Sequence, residues 1–426
     1  PTPDDKLFRY LAQTYVDQQP EMLSKEFPTG MIQGSVWYPV YGGWQDFFYL
    51  RDNVYTTTIE QNEEKWPAEN EIEALWNQHR RSLYAYLNAY IAQGLTIQVE
   101  PPSSDELEGE DVVVTMITSE MGRPVRFKST ASDGVHGVHY PVPAGEYALK
   151  VEWGEGNAVE TISALVEPGL HATVVVQRPS RSLAEATSVM TSPSVMGVDA
   201  LAEKESRDEY PASPERWTYW SNAELGAFAE KLALDYPDYC KAYTIGKSVR
   251  GTDLWALTVS KDPSGFPSVA TQTPPSSEKP SFLYIGNTHG DEPLGRQHLS
   301  YLAEELCSRA GDPSDEEADA ILSRGAVHMI FTINPDGFDL HRRGNANRVD
   351  INRNFPDPIL RNGDLNRTGT EEVETVALMD YVELLGDSLI GASALHEGAL
   401  LVNYPFDGEP EGSETKMPNP TPDDKL

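Results

Sequence analysis

SFLYIGNTHGDEPLGRQHL, residues 281–299, is the stretch that decides the fold. SFLYIGN is a short continuous apolar run closed by Asn, the pattern of a buried strand. LGRQHLSYLAEELCSR, from residue 294, carries helical spacing. Between them His289-Gly-Asp-Glu292 places two metal-competent side chains three residues apart at a strand-to-helix turn. Neutral imidazole and carboxylate are both good zinc ligands, and a catalytic zinc site takes three protein ligands and keeps one open position. His396, in the LHEG segment that ends the apolar run LIGASAL, is the candidate third ligand. All three follow strand-like runs, and in open α/β sheets functional groups gather at the carboxyl ends of strands.

Outward from this stretch, strand and helix patterns alternate through residues 214–426. SNAELGAFAEKLALDYP reads as a helix with Ser221 as N-cap. LWALTVS and AVHMIFTIN read as strands, TEEVETVALMDYVELL as a helix and LIGASAL as a last strand. Such alternation predicts an α/β fold, with a mixed, mostly parallel sheet flanked by helices. Residues 1–92 hold helical patterns at 4–17 and 70–92. Between these lie the aromatic stretch SVWYPVYGGWQDFFYL and the alternating run VYTTTIE. Residues 93–178 change character: LTIQVE, VVVTMIT, YALKVEW, ETISALVE and HATVVVQ alternate between breaks of Pro, Gly and Asp, which predicts a small all-β sandwich. Residues 179–213 are rich in Ser, Ala, Pro and charge without a stable period, and read as a linker. PTPDDKL occurs both at 1–7 and at 420–426. That identity points to a window of a tandem array or to ends joined and reopened.

The chain has 426 residues, which favours more than one domain. Its net charge of −34 excludes nucleic acid as a partner, because phosphate binding needs concentrated Lys and Arg. No run of about 18 apolar residues is present, so no transmembrane helix is expected. The first residues lack the basic-then-apolar pattern of a signal peptide. Cys240 and Cys307 are the only cysteines. They cannot make a disulfide framework and lack Cys-rich metal spacing, so both are expected to behave as small core residues. Asn366-Arg-Thr matches the glycosylation sequon.

INPDGFDLHRRGNANRVDINRNFPD, residues 333–357, is rich in Asn, Arg and Gly. Arg353 presents a planar fork suited to a carboxylate and Asn352 adds a neutral donor, so the pair could hold a free C-terminal carboxylate. Arg343 could polarise a carbonyl and stabilise an oxyanion.

NTHGDEPLG, INPDGF, RGNANRVDINRNFPD and ALHEGALLVNYPFDG together resemble the zinc metallocarboxypeptidase family, most of all its regulatory branch of carboxypeptidases D, E, M and N. The resemblance implies one Zn2+ held by His289, Glu292 and His396, with Arg343 polarising the scissile carbonyl. Asn352 and Arg353 would hold the substrate carboxylate, and Asp407 in NYPFD would select a C-terminal Lys or Arg. WYPVYGGWQD resembles the family's tyrosine loop, making Tyr38 the capping residue and Gln45 a pocket residue. VYTTTIEQ resembles the strand that carries the general base, making Glu60 that base. The spacing of 22 residues from Tyr38 to Glu60 fits the family. In that frame residues 1–92 are the C-terminal part of a peptidase domain and 214–426 its N-terminal part, in permuted order. Residues 93–178 resemble the transthyretin-like sandwich of that branch. Glu397 and Arg348 stand where the family commonly has glycine, and an extra carboxylate beside zinc could perturb the metal.

The implied reaction is hydrolysis of the last peptide bond of peptides or proteins with basic C-termini. The alternatives are a catalytically inactive peptide-binding module and a structural repeat. The expected location is the secretory pathway or the cell exterior. A linker of about 35 residues spans ~30 Å as a coil, enough for the two parts to meet within one chain, while exchange of segments between chains or neighbouring repeats stays open.

Overall fold

The computed structural model describes residues 4–99, 110–117, 125–129, 136–154, 158–176, 216–275, 279–312 and 314–408. The predicted linker, 179–213, and the second PTPDDKL lie outside the described residues. In chain order the first segment holds α1 (Asp5–Val16), β1 (Met31–Gln33), α2 (Gly34–Trp37), α3 (Trp44–Arg51), β2 (Tyr55–Asn62) and α4 (Ile72–Leu87). Seven strands follow: β3 (Gly94–Val99), β4 (Glu110–Met116), β5 (Val125–Ser129), β6 (His136–Tyr140), β7 (Gly145–Trp153), β8 (Ala158–Val166) and β9 (His171–Val176). The last segment begins with α5 (Asn222–Asp235), β10 (Cys240–Lys247), β11 (Asp253–Val259), β12 (Ser281–Gly286), α6 (Leu294–Arg309) and α7 (Glu316–Leu322). It continues with β13 (Ala326–Ile330), α8 (Pro335–Asp339), α9 (Val373–Leu385), β14 (Leu389–His396) and β15 (Ala399–Tyr404).

The central sheet has eight strands in the order β1-β15-β2-β14-β12-β13-β11-β10. Its middle four, β2, β14, β12 and β13, are mutually parallel. Phe282, Leu283, Tyr284 and Ile285 of β12 are all buried, which is why this strand reads as continuous apolar sequence rather than alternation: helices cover both faces. Ser221 caps α5 as expected. Its hydroxyl accepts from the Glu224 amide while the Glu224 carboxylate accepts from the Ser221 amide, closing the capping box.

β2 lies between β14 and β15, so a strand from residues 1–92 fills the interior of a sheet whose other strands, apart from the edge strand β1, come from residues beyond 216. α4 extends the join. The Tyr284 hydroxyl donates to the Leu83 carbonyl at 3.0 Å, and Arg80 pairs with Glu305 of α6 at 2.8 Å. On α1, Phe8 stacks on Tyr404 of β15 with ring centroids 6.1 Å apart.

The described residues within 93–176 form two further sheets, β6-β3-β9 and β5-β4-β7-β8. Tyr147, Leu149, Val151 and Trp153 of β7 are buried on alternate positions, the period-two signature read from the sequence. Five alternating runs became seven strands; β5 and β6 (VRFKS and HGVHY) are short and poor in aliphatic residues. β10 was missed for a related reason. It is an edge strand whose residues, apart from Cys240, are at most partly buried, so no clear alternation marks it.

The cysteines correct the sequence reading. Cys240 at the start of β10 and Cys307 on α6 are both buried, and they are joined in a disulfide with Cα atoms 6.1 Å apart. Their separation of 67 residues gave no local signal. Closing a loop of this length stabilises the fold by about 2–4 kcal/mol. The double Cys240→Ser/Cys307→Ser protein is therefore expected to unfold at lower urea, its m-value rising as the unlinked unfolded chain exposes more surface; an unchanged midpoint would show that the bridge carries no stability.

Candidate active site

The turn after β12 is held from behind. Asn287 takes a left-handed φ of 55°, and its side-chain amide donates to the carbonyls of His289 and Glu292 at 2.7 and 3.0 Å. Gly290 packs against the backbone of Gly337, where an added Cβ would lie 2.0 Å from a carbonyl carbon. Only glycine allows that approach. Asn334, at the start of α8, donates to the carbonyls of Thr288 and Arg343. The turn between β12 and α6 is thus built to aim two side chains.

His289, Glu292 and His396 converge as predicted. His289 Nδ1 lies 2.9 Å from Glu292 Oε2, His396 Nδ1 lies 2.9 Å from the same oxygen, and the two Nδ1 atoms are 3.1 Å apart. All three are buried and form a group able to hold a metal ion. A tetrahedral zinc with arms of about 2.0–2.1 Å sets its ligand atoms about 3.3 Å apart, so this donor set fits with little adjustment. Burial lowers the His396 pKa to about 4, which favours the neutral, metal-binding imidazole.

Several neighbours were not picked out from sequence. Asp350 Oδ1 lies 3.2 Å from His289 Nε2, the nitrogen facing away from the cluster. Such a carboxylate sets the tautomer and orientation of a ligating imidazole. Burial opposes its ionisation, but His289, Arg343 and Arg353 outweigh that and hold Asp350 well below the usual carboxylate range. Lys65 Nζ contacts Glu292 Oε1 at 3.2 Å. Arg343 reaches the same oxygen at 3.4 Å and Asp350 Oδ2 at 3.0 Å, so its guanidinium borders the cluster.

Glu60 on β2 is the register partner of His396 on β14. Partnered residues of parallel strands point to the same face about 4.8 Å apart. The buried Glu60 is therefore set beside the metal-competent group although 336 residues separate the two in sequence.

The remaining candidates are linked by contacts between the first and last segments. Asn352 Oδ1 accepts from the Trp44 amide at 3.2 Å. Arg353 Nη1 donates to the Asn352 carbonyl at 2.9 Å. Gly42, at a φ of 69°, would place a Cβ 2.7 Å from the Arg353 carbonyl oxygen, so the tyrosine loop docks here through glycine. Tyr38 lies within the electrostatic reach of Glu60, Arg353, Arg343 and Asp407; burial and Glu60 lift its phenol above the ordinary value against the two arginines. Gln45 Nε2 donates to Asp407 Oδ1 at 2.9 Å. An added Cβ on Gly34 would fall 1.8 Å from that oxygen, so the glycine leaves room for the Asp407 carboxylate.

The two departures from the family pattern have local structural consequences. Arg348 sits at a φ of 67°, a left-handed value that favours glycine. Glu397 is buried beside the metal-competent cluster, with its backbone amide 3.4 Å from Glu292 Oε2. Its Oε1 accepts from the Gly295 amide at 2.8 Å at the start of α6, while burial and then Glu292 push its carboxyl well above the usual range.

The description "Zinc carboxypeptidase" attaches to a family model that matches residues 1–82 and 225–426, two stretches flanking the β-rich region. The chain belongs to the zinc carboxypeptidase family. It is an enzyme family of metal-dependent hydrolases, and Zn2+ is its cofactor. Carboxypeptidase D of Rattus norvegicus is 27% identical over 446 residues, covering 98% of this chain and 30% of that protein. Carboxypeptidase SOL1 of Arabidopsis thaliana is 39% identical over 196 residues, 45% of this chain and 35% of that protein. The chain thus spans under a third of the length of the carboxypeptidase D relative. Among solved structures, bovine thrombin-activatable fibrinolysis inhibitor in complex with tick carboxypeptidase inhibitor matches at 18% identity and a TM-score of 0.34, covering 43% of this chain and 62% of that one.

Proposed function

We propose that this zinc carboxypeptidase is active and removes Lys or Arg from the C-termini of peptides or proteins. The observation that carries the reading is the register of Glu60 with His396, which sets a candidate base beside the candidate ligands. His289, Glu292 and His396 would hold Zn2+, which when bound supplies Lewis-acid polarisation of the scissile carbonyl and acidifies water beside it. Glu60 would take the water proton and return it to the leaving amine. Arg343 would stabilise negative charge developing on the carbonyl oxygen. Asn352 and Arg353 would clamp the free carboxylate and so confine cleavage to the last bond. Tyr38 would close over the bound residue, and Asp407 with Gln45 would receive its basic side chain.

The same reading covers the organisation. Residues 1–92 and 214–426 are taken as the two parts of one peptidase domain, and 93–178 as its transthyretin-like sandwich. The alignment with carboxypeptidase D runs through 98% of this chain, which supports a native segment order, as a window across two successive peptidase units would have. A buried disulfide points to an oxidising compartment, and Asn366 of the sequon is exposed; both favour the secretory pathway or the cell exterior.

The deciding experiment is release of C-terminal Arg from a short peptide by the zinc-loaded chain. Turnover is expected, with loss on chelation and recovery on adding zinc. Peptide binding without any turnover would instead make the chain a peptide-binding module.

A further inference from the structure

Asp407 does not stand alone in its pocket. Its backbone amide donates to both carboxylate oxygens of Asp46, each at 3.0 Å, and the Gly408 amide donates to Asp46 Oδ2 at 3.0 Å. Asp46 lies on α3, in the first segment of the chain, whereas Asp407 follows β15 in the last. Both acids are buried. We propose that Asp46 is a positioning residue of the specificity pocket, and that Asp46 and Asp407 hold one proton between them until a cationic side chain enters and displaces it. This deepens the reading of a pocket for Lys or Arg and rests on it.

The charged surroundings leave the pair short of cations. Asp357 adds a third acid, whose Oδ2 accepts from the Gly42 amide at 2.6 Å. Arg353 supplies a positive charge, Tyr38 contributes a phenol that burial keeps neutral, and Gln45 and Asn403 are uncharged. Two adjacent buried carboxylates cannot both ionise cheaply. Burial lifts Asp46 to about 7, with Asp357 adding to the rise against the two amides it accepts from. Burial and then Asp46 lift Asp407 well above the usual range, against Arg353 and Asn403.

The sign of the linkage follows. A bound guanidinium or ammonium favours the fully ionised pair, so the occupied pocket holds one proton fewer than the empty one. Affinity for a basic side chain must then rise as pH rises through the pKa of the empty pair. A neutral side chain displaces no proton, and its affinity should not follow that titration. Lys and Arg remain protonated throughout this range.

The test uses the zinc-loaded full chain and two peptides identical except for a C-terminal Arg or citrulline, its neutral near-isostere. Proton transfers at Glu60 affect both peptides alike and cancel in the ratio of their kcat/KM values. Between about pH 5.5 and about pH 8 the Arg:citrulline ratio is expected to climb by up to about tenfold per pH unit, carried by KM. In Asp46→Asn, which leaves Asp407 buried but without its acidic neighbour, the climb should move to lower pH and the ratio at the alkaline end should fall. A ratio well above one but flat with pH in the wild-type protein would overturn the proposal, as would an Asp46→Asn protein whose climb stays at the wild-type pH. A ratio near one at every pH would sink the basic-pocket reading itself and this proposal with it. If Asp46→Asn fails to fold, the wild-type profile still decides.

Discussion

Glu60→Gln is expected to keep the fold and the zinc and to lose about 10²- to 10⁴-fold in turnover. The argument is geometric. β2 is paired on both sides, with Glu60 opposite His396 of β14 and Leu401 of β15, so the backbone that carries this side chain cannot readily shift. Glutamine has the same length and shape, and it leaves His289, Glu292 and His396 unchanged. What it removes is the ability to accept a proton at the carboxylate oxygen. Zinc content after dialysis should match the wild type, and kcat should fall with little change in KM, because the carboxylate clamp and the pocket lie on other residues. A Glu60→Gln protein with near-normal kcat would move the base elsewhere. Loss of zinc together with activity would mean that Glu60 supports the metal rather than the proton.

Much of this site can be read before folding, because its parts sit at the ends of strongly patterned elements. LGRQHLSYLAEELCSR is α6 from its first residue to its last, and SFLYIG is β12. His289 and Glu292 fall between them on a turn whose Asn and Gly residues have local reasons to be there. Asp350 and Asp46 could not be found that way. The chain holds 67 acidic residues, so a carboxylate in itself carries no signal. Asp350 matters because a turn from residue 351 brings it against His289 Nε2, and Asp46 because a loop some 360 residues away lays two amides on it. The Cys240–Cys307 bridge is of the same kind, a contact between an edge strand and a helix that only the packed sheet brings together. Glu397 shows the reverse case. Its position beside His396 was legible, but not that the start of α6 would offer its carboxyl a backbone amide.

A nick placed in residues 179–213 is expected to leave activity intact, whereas either separated piece alone should have almost none. The reason is the position of β2. Without it, β14 and β15 each lose a partner inside the sheet, and Glu60, Tyr38 and Gln45 leave the site altogether. Seven of the eight residues of β2 are buried, and Leu7, Phe8, Leu11, Trp76, Leu83 and Leu87 of α1 and α4 are buried in the same core. At about 1.5–3 kcal/mol for each large apolar side chain, six of them alone contribute on the order of 10 kcal/mol. Association costs consume part of this, but β2 adds its own buried side chains and two ladders of hydrogen bonds. The pieces should therefore co-elute at micromolar concentration after nicking. Separated in denaturant they should lose turnover, and mixing and refolding should restore it. Dilution distinguishes the route of assembly. If each chain completes its own site, the intact protein keeps its specific activity on dilution, while the nicked form loses it only near the dissociation constant of the pieces. If segments are exchanged between chains, the intact protein runs as a dimer whose activity can fall with dilution. Full activity from residues 214–426 alone would refute the joined domain, because another group would then have to replace Glu60 and the sheet would have to close without β2.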